Sequence, residues 1–207
     1  MPKPEVLDEA GLCFRLSGLP DATSPLPDPR PLIPAAVLVP IILSHPPTIL
    51  LTKRSATLAQ HAGQVSFPGG RIEPSDPSPG AAALREAREE LAIDPARVVL
   101  LGRLPDRATG TGFLITPVVG LLPAGLHLAP SADEVETAFE LPIAVLLDPA
   151  APERRGAWRN GIWRESWVWP QPEHEIWGAT AEILLQLAKR LRTPPGRAGR
   201  DAAGSAA

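Results

Sequence analysis

The chain has 207 residues, 44% of them hydrophobic and 21% charged, with a formal net charge of −3 at pH 7. That length and apolar content suffice for one sizeable core and favour one main domain. The weakly acidic balance excludes the broad basic footprint that nucleic acid or an anionic membrane attracts, so an anionic ligand has to be met locally.

From the N-terminus, "MPKPEVLDEAG" lacks the apolar core of a signal peptide, and no apolar run reaches ~18 residues, so neither export nor a membrane span is expected. Cys13 is the only cysteine, which rules out an internal disulfide and makes a reducing cytoplasm the natural setting. Its plainest reading is a small buried hydrophobe. "PEVLDEAGLCFRLSG" can form a short amphipathic helix, and "LPDATSPLPDPRPLIP" is a connector whose prolines prevent regular structure. "AAVLVPIIL" and "TILLTKR" predict neighbouring buried strands, with Pro40 suggesting an edge or a bulge. "RVVLLGRLP" and "FLITPVVGLLP" predict two more strands. "VETAFELPIAVLLD" mixes a strand with a helical turn, and "SWVWP" predicts a strand with alternating Trp. In "TAEILLQLAKRLR", Leu184, Leu187, Ala188 and Leu191 make the apolar stripe of a closing helix. Residues 1–30 are thus expected to be a helix and connector, 31–192 the main domain, and 193–207 a disordered tail.

The most informative stretch is "GGRIEPSDPSPGAAALREAREELAI", residues 69–93. Ser78 followed by Pro79 predicts an N-cap and first helical residue, and Asp94-Pro95 supplies the stop. At roughly 100° per residue, Leu84, Ala87 and Leu91 share an apolar stripe, while Glu86, Glu89 and Glu90 fall within an arc of about 100°. Three carboxylates then converge. Arg85 precedes Glu89 by four positions and can bridge to it. An acidic helix face is most often merely solvated. Here, however, the helix follows "FPGG", where paired glycines permit close approach to a ligand, and clustered carboxylates repel unless a cation compensates them. Carboxylate oxygens select hard cations, so Mg²⁺ or Mn²⁺ is expected and zinc is not.

This stretch resembles the Nudix box, G-x5-E-x7-R-E-U-x-E-E-x-G-U, with Arg85, Glu86, Glu89, Glu90 and Ile93 on the matching positions. Asp76 stands where the first Glu is expected, and Ala92 replaces the Gly. The preceding "LLTKRSATLAQHAGQVSFPGG" resembles the signature of Nudix enzymes that cleave coenzyme A, through Leu50, Leu51, Thr52, Ser55, Gly63, Phe67, Pro68, Gly69 and Gly70. The resemblance implies an α/β/α Nudix sandwich with a mixed sheet and a metal-dependent pyrophosphohydrolase acting on CoA or acyl-CoA. It also implies metal held by Glu86, Glu89, Glu90 and the Gly69 carbonyl, with Glu86 or Glu134 as base and Arg85 among the catalytic residues. Alternatives from the same and other classes are a hydrolase of another nucleoside diphosphate derivative and a non-catalytic, nucleotide-sensing Nudix module.

Lys53, Arg54, His61 and Arg71 are the candidate contacts to substrate phosphates. A solvated strand end explains Lys53 and Arg54 about equally well, and a lone His is more often structural. Without the resemblance Glu134 reads as a cap or loop acid. The five Trp are better read as packing residues than as a platform for bases. His45, His127 and His174 have no metal-ligand spacing. A small-molecule partner is expected, without nucleic acid or membrane, on a monomer or homodimer.

Overall fold

The computed structural model describes residues 7–23, 32–57, 62–159 and 161–193. Helix α1 (Glu9–Leu16) starts at Asp8, whose side chain accepts from the Gly11 amide at 2.8 Å. It buries Leu12 and Leu16. Cys13 on this helix is exposed, contrary to the buried hydrophobe expected, because α1 turns Leu12 and Leu16 inward instead. The prolines of the connector between residues 24 and 31 and the tail from residue 194 lie outside the described residues.

Next come β1 (Ile33–Leu43), β2 (Thr48–Arg54), and the short β3 (Val65–Ser66) and β4 (Gly69–Arg71). Helix α2 (Pro79–Leu91) is followed by β5 (Val99–Arg103), β6 (Arg107–Ala108), β7 (Phe113–Pro123), β8 (Val135–Pro142) and helix α3 (Ile143–Leu147). Strands β9 (Glu153–Arg159), β10 (Ile162–Trp169) and β11 (Ile176–Trp177) precede α4 (Gly178–Arg192). The main sheet runs β3-β2-β1-β7-β5, with β4 on β1, β6 on β7 and β8 on β2. Among the described residues only β1 and β7 pair in parallel, in unbroken register from Ile33↔Phe113 to Leu43↔Pro123, and the other pairs are antiparallel. Both strands of that parallel pair are apolar on both faces, as strands covered on either side must be.

Pro40 therefore lies in a central strand, where an edge or bulge was expected. One side of β1 is shared, by β4 at residues 35–37 and by β2 at residues 41–42. The Leu38 amide on that side donates to the Pro68 carbonyl, so the nitrogen two residues on faces the gap between the two partners. No ladder bond is lost there.

Helix α2 covers one face of the sheet with Ala82, Ala83, Ala87 and Leu91 against Ala36, Leu38, Ile42, Leu50, Val118 and Leu122. Helices α1, α3 and α4 cover the other face, with Leu184, Leu187, Ala188 and Leu191 of α4 fully buried, as the stripe predicts. A second, three-stranded sheet, β11-β10-β9, leans on α4 through Trp169, whose indole N–H donates to the Ala181 carbonyl at 3.0 Å. No helix among the described residues is long and apolar enough to cross a membrane.

Candidate active site

The expected ends of α2 are observed. The Ser78 hydroxyl accepts from the Ala81 amide at 3.2 Å, Pro79 opens the helix, and Ala92 closes it in the left-handed region at φ 58°. A left-handed alanine is unusual and explains why the box asks for glycine there. The buried stripe differs from the predicted one. Leu84 is only half-buried, and Glu90, at 3% exposure, takes a place on the buried side.

Arg85 is the hub of this helix. Its Nη1 donates to Glu89 at 3.0 Å, the bridge that a four-residue spacing predicts, and stands 3.0 Å from Glu86. Its Nε and Nη2 grip both oxygens of Asp76 at 3.1 and 3.0 Å, and Nη2 also donates to the Arg71 carbonyl at 3.0 Å. The bidentate Arg85 guanidinium holds the Asp76 carboxyl below its ordinary value, and Asp76 in turn raises Arg85. Asp76, whose side chain is 6% exposed, also accepts from the Glu73 amide at 2.9 Å. The doubly held arginine fixes α2 to the loop before it. Sequence spacing could not show this pairing, because nine residues and a turn separate Asp76 from Arg85.

The other two carboxylates rest on the glycine pair. A Cβ on Gly70 would lie 2.5–2.7 Å from the carboxyl atoms of Glu86, so the missing side chain is the space that Glu86 occupies. A Cβ on Gly69 would meet the Ala36 carbonyl oxygen at 2.4 Å, which keeps β4 tight against β1. The Gly69 amide hydrogen-bonds Glu90. Burial, opposed by Arg85, raises Glu86 above its ordinary value, with Glu89 and Glu134 adding repulsion. Burial raises Glu90 from 4.5 to about 8, with Arg54 opposing and Glu134 and Glu86 reinforcing the rise.

Lys53 and Arg54 part company. Side chains alternate along β2, with Leu50 on the α2 side and Leu51 on the α4 side. Arg54 is the positive charge that most counterbalances Glu90, and its Nε has no hydrogen-bond partner among the described residues. Lys53 is paired with Glu136 on β8 at 2.6 Å. Glu134 is exposed in the turn before β8. Its carbonyl accepts from Ser55, and the Ser131 amide at the start of the turn donates to the Glu90 carbonyl. It caps no helix, and its charge is felt by Glu86 and Glu90. Arg71 is exposed at the end of β4, with its guanidinium 5.6 Å from the Phe113 ring centre. His61 lies outside the described residues.

The structure thus brings Glu86, Glu90, Gly69, Gly70, Arg54 and Glu134 together. Glu89 is turned outward, 58% exposed, because Arg85 holds it, so the three helix carboxylates do not meet at one point. The NUDIX domain profile matches residues 32–159, which include all of these groups. The chain belongs to the Nudix family. Among similar curated proteins is one from Citrobacter koseri named uncharacterized Nudix hydrolase NudL, 44% identical over 161 residues that cover 78% of this chain and 84% of the relative. A Photorhabdus laumondii protein of the same name is 46% identical over 158 residues, 76% of this chain and 84% of the relative. The crystal structure of a MutT/nudix family protein from Enterococcus faecalis superposes with a TM-score of 0.48 at 14% identity, over 79% of this chain and 63% of that one.

A Nudix chain is a hydrolase acting on a nucleoside diphosphate derivative, and the Nudix family works with divalent cations such as Mg²⁺ or Mn²⁺. The donor set here fits such an ion in two respects. It is all oxygen, which suits a hard cation. It also contains a buried carboxylate, Glu90, that desolvation holds near neutrality and that a cation would bring back to the charged form. Among the described residues no three acidic, imidazole or thiol side chains are drawn close enough to hold an ion by themselves. Mg²⁺ usually takes only one or two carboxylates from a protein and completes its ligand set with water and substrate phosphates.

Proposed function

We propose that this Nudix hydrolase cleaves the pyrophosphate bond of coenzyme A or its thioesters, yielding 3′,5′-ADP and 4′-phosphopantetheine or its acyl form. One observation carries the reading. The segment that resembles the CoA-cleaving signature folds against the Nudix box, with Arg54 beside Glu90 and the Gly69-Gly70 pair beneath Glu90 and Glu86. Residues 31–192 form the catalytic unit in this proposal, at work in the cytoplasm.

Glu86 and Glu90, with the Gly69 carbonyl, would hold the metal, and Glu89 would join them only by turning away from Arg85. When bound, Mg²⁺ or Mn²⁺ neutralises charge on the pyrophosphate and makes a water more acidic. Glu86 or Glu134 takes the proton as the water oxygen bonds to one phosphorus, and the bridging oxygen leaves with the other phosphate. No covalent intermediate on the protein is needed. Arg85, clamped by Asp76, keeps Glu86 and Glu89 in place. Lys53, Arg54, His61 and Arg71 supply positive charge to the phosphates. Arg71 is the most exposed of those described, whereas Lys53 would first have to leave Glu136.

The test is turnover of CoA, dephospho-CoA, ADP-ribose and NADH by purified protein with Mg²⁺, with products resolved chromatographically. The expected result is the highest kcat/KM on CoA or an acyl-CoA, with 3′,5′-ADP released. Preference for ADP-ribose or NADH would replace CoA with another nucleoside diphosphate derivative, and turnover of none would favour the sensing module.

A further inference from the structure

The β9–β10 hairpin carries an aromatic patch that the catalytic reading does not use. Trp158 on β9 and Trp163 on β10 are direct cross-strand partners, with ring centres 5.6 Å apart in an edge-to-face arrangement. They are 71% and 52% exposed. The Trp163 ring lies across Gly156, where a Cβ would come within 1.9 Å of it. Residues 163, 165, 167 and 169 share one face of β10. At its base that face is covered, since Trp169 is buried against α4. Further along the same face, Trp158 and Trp163 are exposed.

Strand β9 is also an edge. Among the described residues no strand pairs with its outer side, and Glu153, Arg154, Arg155, Gly156 and Trp158 are all exposed. An unpaired edge presents a row of amide and carbonyl groups ready to pair with another strand. The residues of this edge are complementary to a second copy of themselves. If two β9 strands pair antiparallel about a two-fold axis at Gly156, Arg154 of each stands directly opposite Trp158 of the other. Directly opposed residues share a face, so this is a cation–π pairing, of the kind already made within the chain by Arg154 and Trp167 at 5.3 Å. The two glycines meet at the axis, and the two Trp163 rings that lie over them become neighbours. The glycine that admits Trp163 within one chain thus also admits the second copy.

We infer that β9 is a homodimer interface, joining two hairpins into a six-stranded sheet in which Trp158 and Trp163 of both copies form one aromatic cluster. At the usual size of an indole, the exposed parts of the four rings come to roughly 500–600 Å². Specific interfaces start near ~1,200 Å², so the paired strand edges must supply the rest and a weak dimer, with Kd in the micromolar range, is expected. The inference does not depend on which nucleotide derivative is cleaved.

Sedimentation velocity from about 1 to 200 µM provides the first test. The parent should shift from monomer to dimer across that range, and Trp158→Lys, which sets a cation opposite Arg154, should raise Kd at least tenfold with an unchanged circular dichroism spectrum. The register is tested by disulfide trapping in a Cys13→Ser background. Arg154→Cys and Trp158→Cys proteins, mixed and oxidised, should give a linked dimer, while neither alone should, because residue 154 faces 158 and not itself. A parent that stays monomeric at 200 µM overturns the inference, as does a dimer that traps equally well in all three samples. A monomer whose KM for the nucleotide substrate rises in Trp158→Ala also overturns it and makes the rings a base-stacking surface.

Discussion

Glu90→Gln should stabilise the protein in EDTA and destabilise it, relative to the parent, in Mg²⁺. The carboxyl is 3% exposed and keeps its proton up to about 8, whereas in the unfolded chain it ionises near 4.5. Across that window the folded state binds more protons than the unfolded one, so the stability of the stripped protein falls as pH rises. Each pH unit of difference is worth about 1.4 kcal/mol, so between pH 5 and pH 8 the parent loses about 3 to 4 kcal/mol that the neutral Gln does not lose. In a domain of this size that is roughly 10 °C in Tm. Glu86 is present in both proteins, and because its charge is coupled to that of Glu90 its own raised value cancels only in part. A cation reverses the order. At a thousand times its Kd, Mg²⁺ bound to the ionised parent returns about 4.1 kcal/mol, more than that loss, and the variant, with an amide in place of a charge, gains less. The assay is thermal melting at pH 5 and pH 8, with EDTA and with saturating Mg²⁺, alongside kcat, which should fall by orders of magnitude in the variant. Parallel pH profiles in EDTA would refute the burial argument. Equal stabilisation of both proteins by Mg²⁺ would remove Glu90 from the metal site.

Three further outcomes are expected. Gly70→Ala puts a methyl group where the Glu86 carboxylate lies, so kcat should fall by about tenfold or more while Tm moves by only a few degrees, as read by steady-state kinetics and melting. Asp76→Asn breaks the charged clamp on Arg85 and should lower kcat. Because the folded Asp76 lies below its ordinary 3.8, its contribution to stability is present above that value and is lost as pH falls through the folded value, so the variant should melt with a weaker acid dependence below about pH 4. Arg54→Ala removes the positive charge that acts most strongly on Glu90 and should lower kcat on CoA and on dephospho-CoA alike. A loss confined to CoA would instead put Arg54 on the 3′-phosphate.

The helix and its contents were legible in the sequence because the information is local. Ser78, Pro79 and the Asp94-Pro95 stop act within a few residues of themselves, and the Arg85–Glu89 bridge follows from helical pitch alone. What the sequence hid depends on contacts across the fold. Leu84 looked like core by periodicity, yet the face that α2 turns to the sheet is rotated toward Glu90, an arrangement fixed by how closely Ala83 and Ala87 pack on β1. Pro40 looked like an edge residue because nothing local shows that β4 and β2 divide one side of β1 between them. Cys13 looked buried by residue type, while the neighbouring Leu12 and Leu16 decide which side of α1 faces in.

The same distinction bears on how the labour of the site is divided. Read as a line of text, the resemblance gives residues 50–70 to the choice of substrate and residues 85–90 to the chemistry. Folded, the boundary runs between adjacent side chains, because alternation along β2 sends Lys53 to Glu136 and Arg54 to Glu90. A guanidinium set against a buried carboxylate lowers the cost of ionising it, and ionised Glu90 is the form that can ligate a cation. Arg54 therefore belongs energetically with the box, although it lies outside it in sequence. Arg71 makes the opposite crossing. Its carbonyl is fixed by Arg85 while its exposed guanidinium lies over the Phe113 ring. A phosphate bound by Arg71 would be sensed one hydrogen bond away by the residue that holds Glu86 and Glu89. That would be a direct route by which a bound phosphate acts on helix α2.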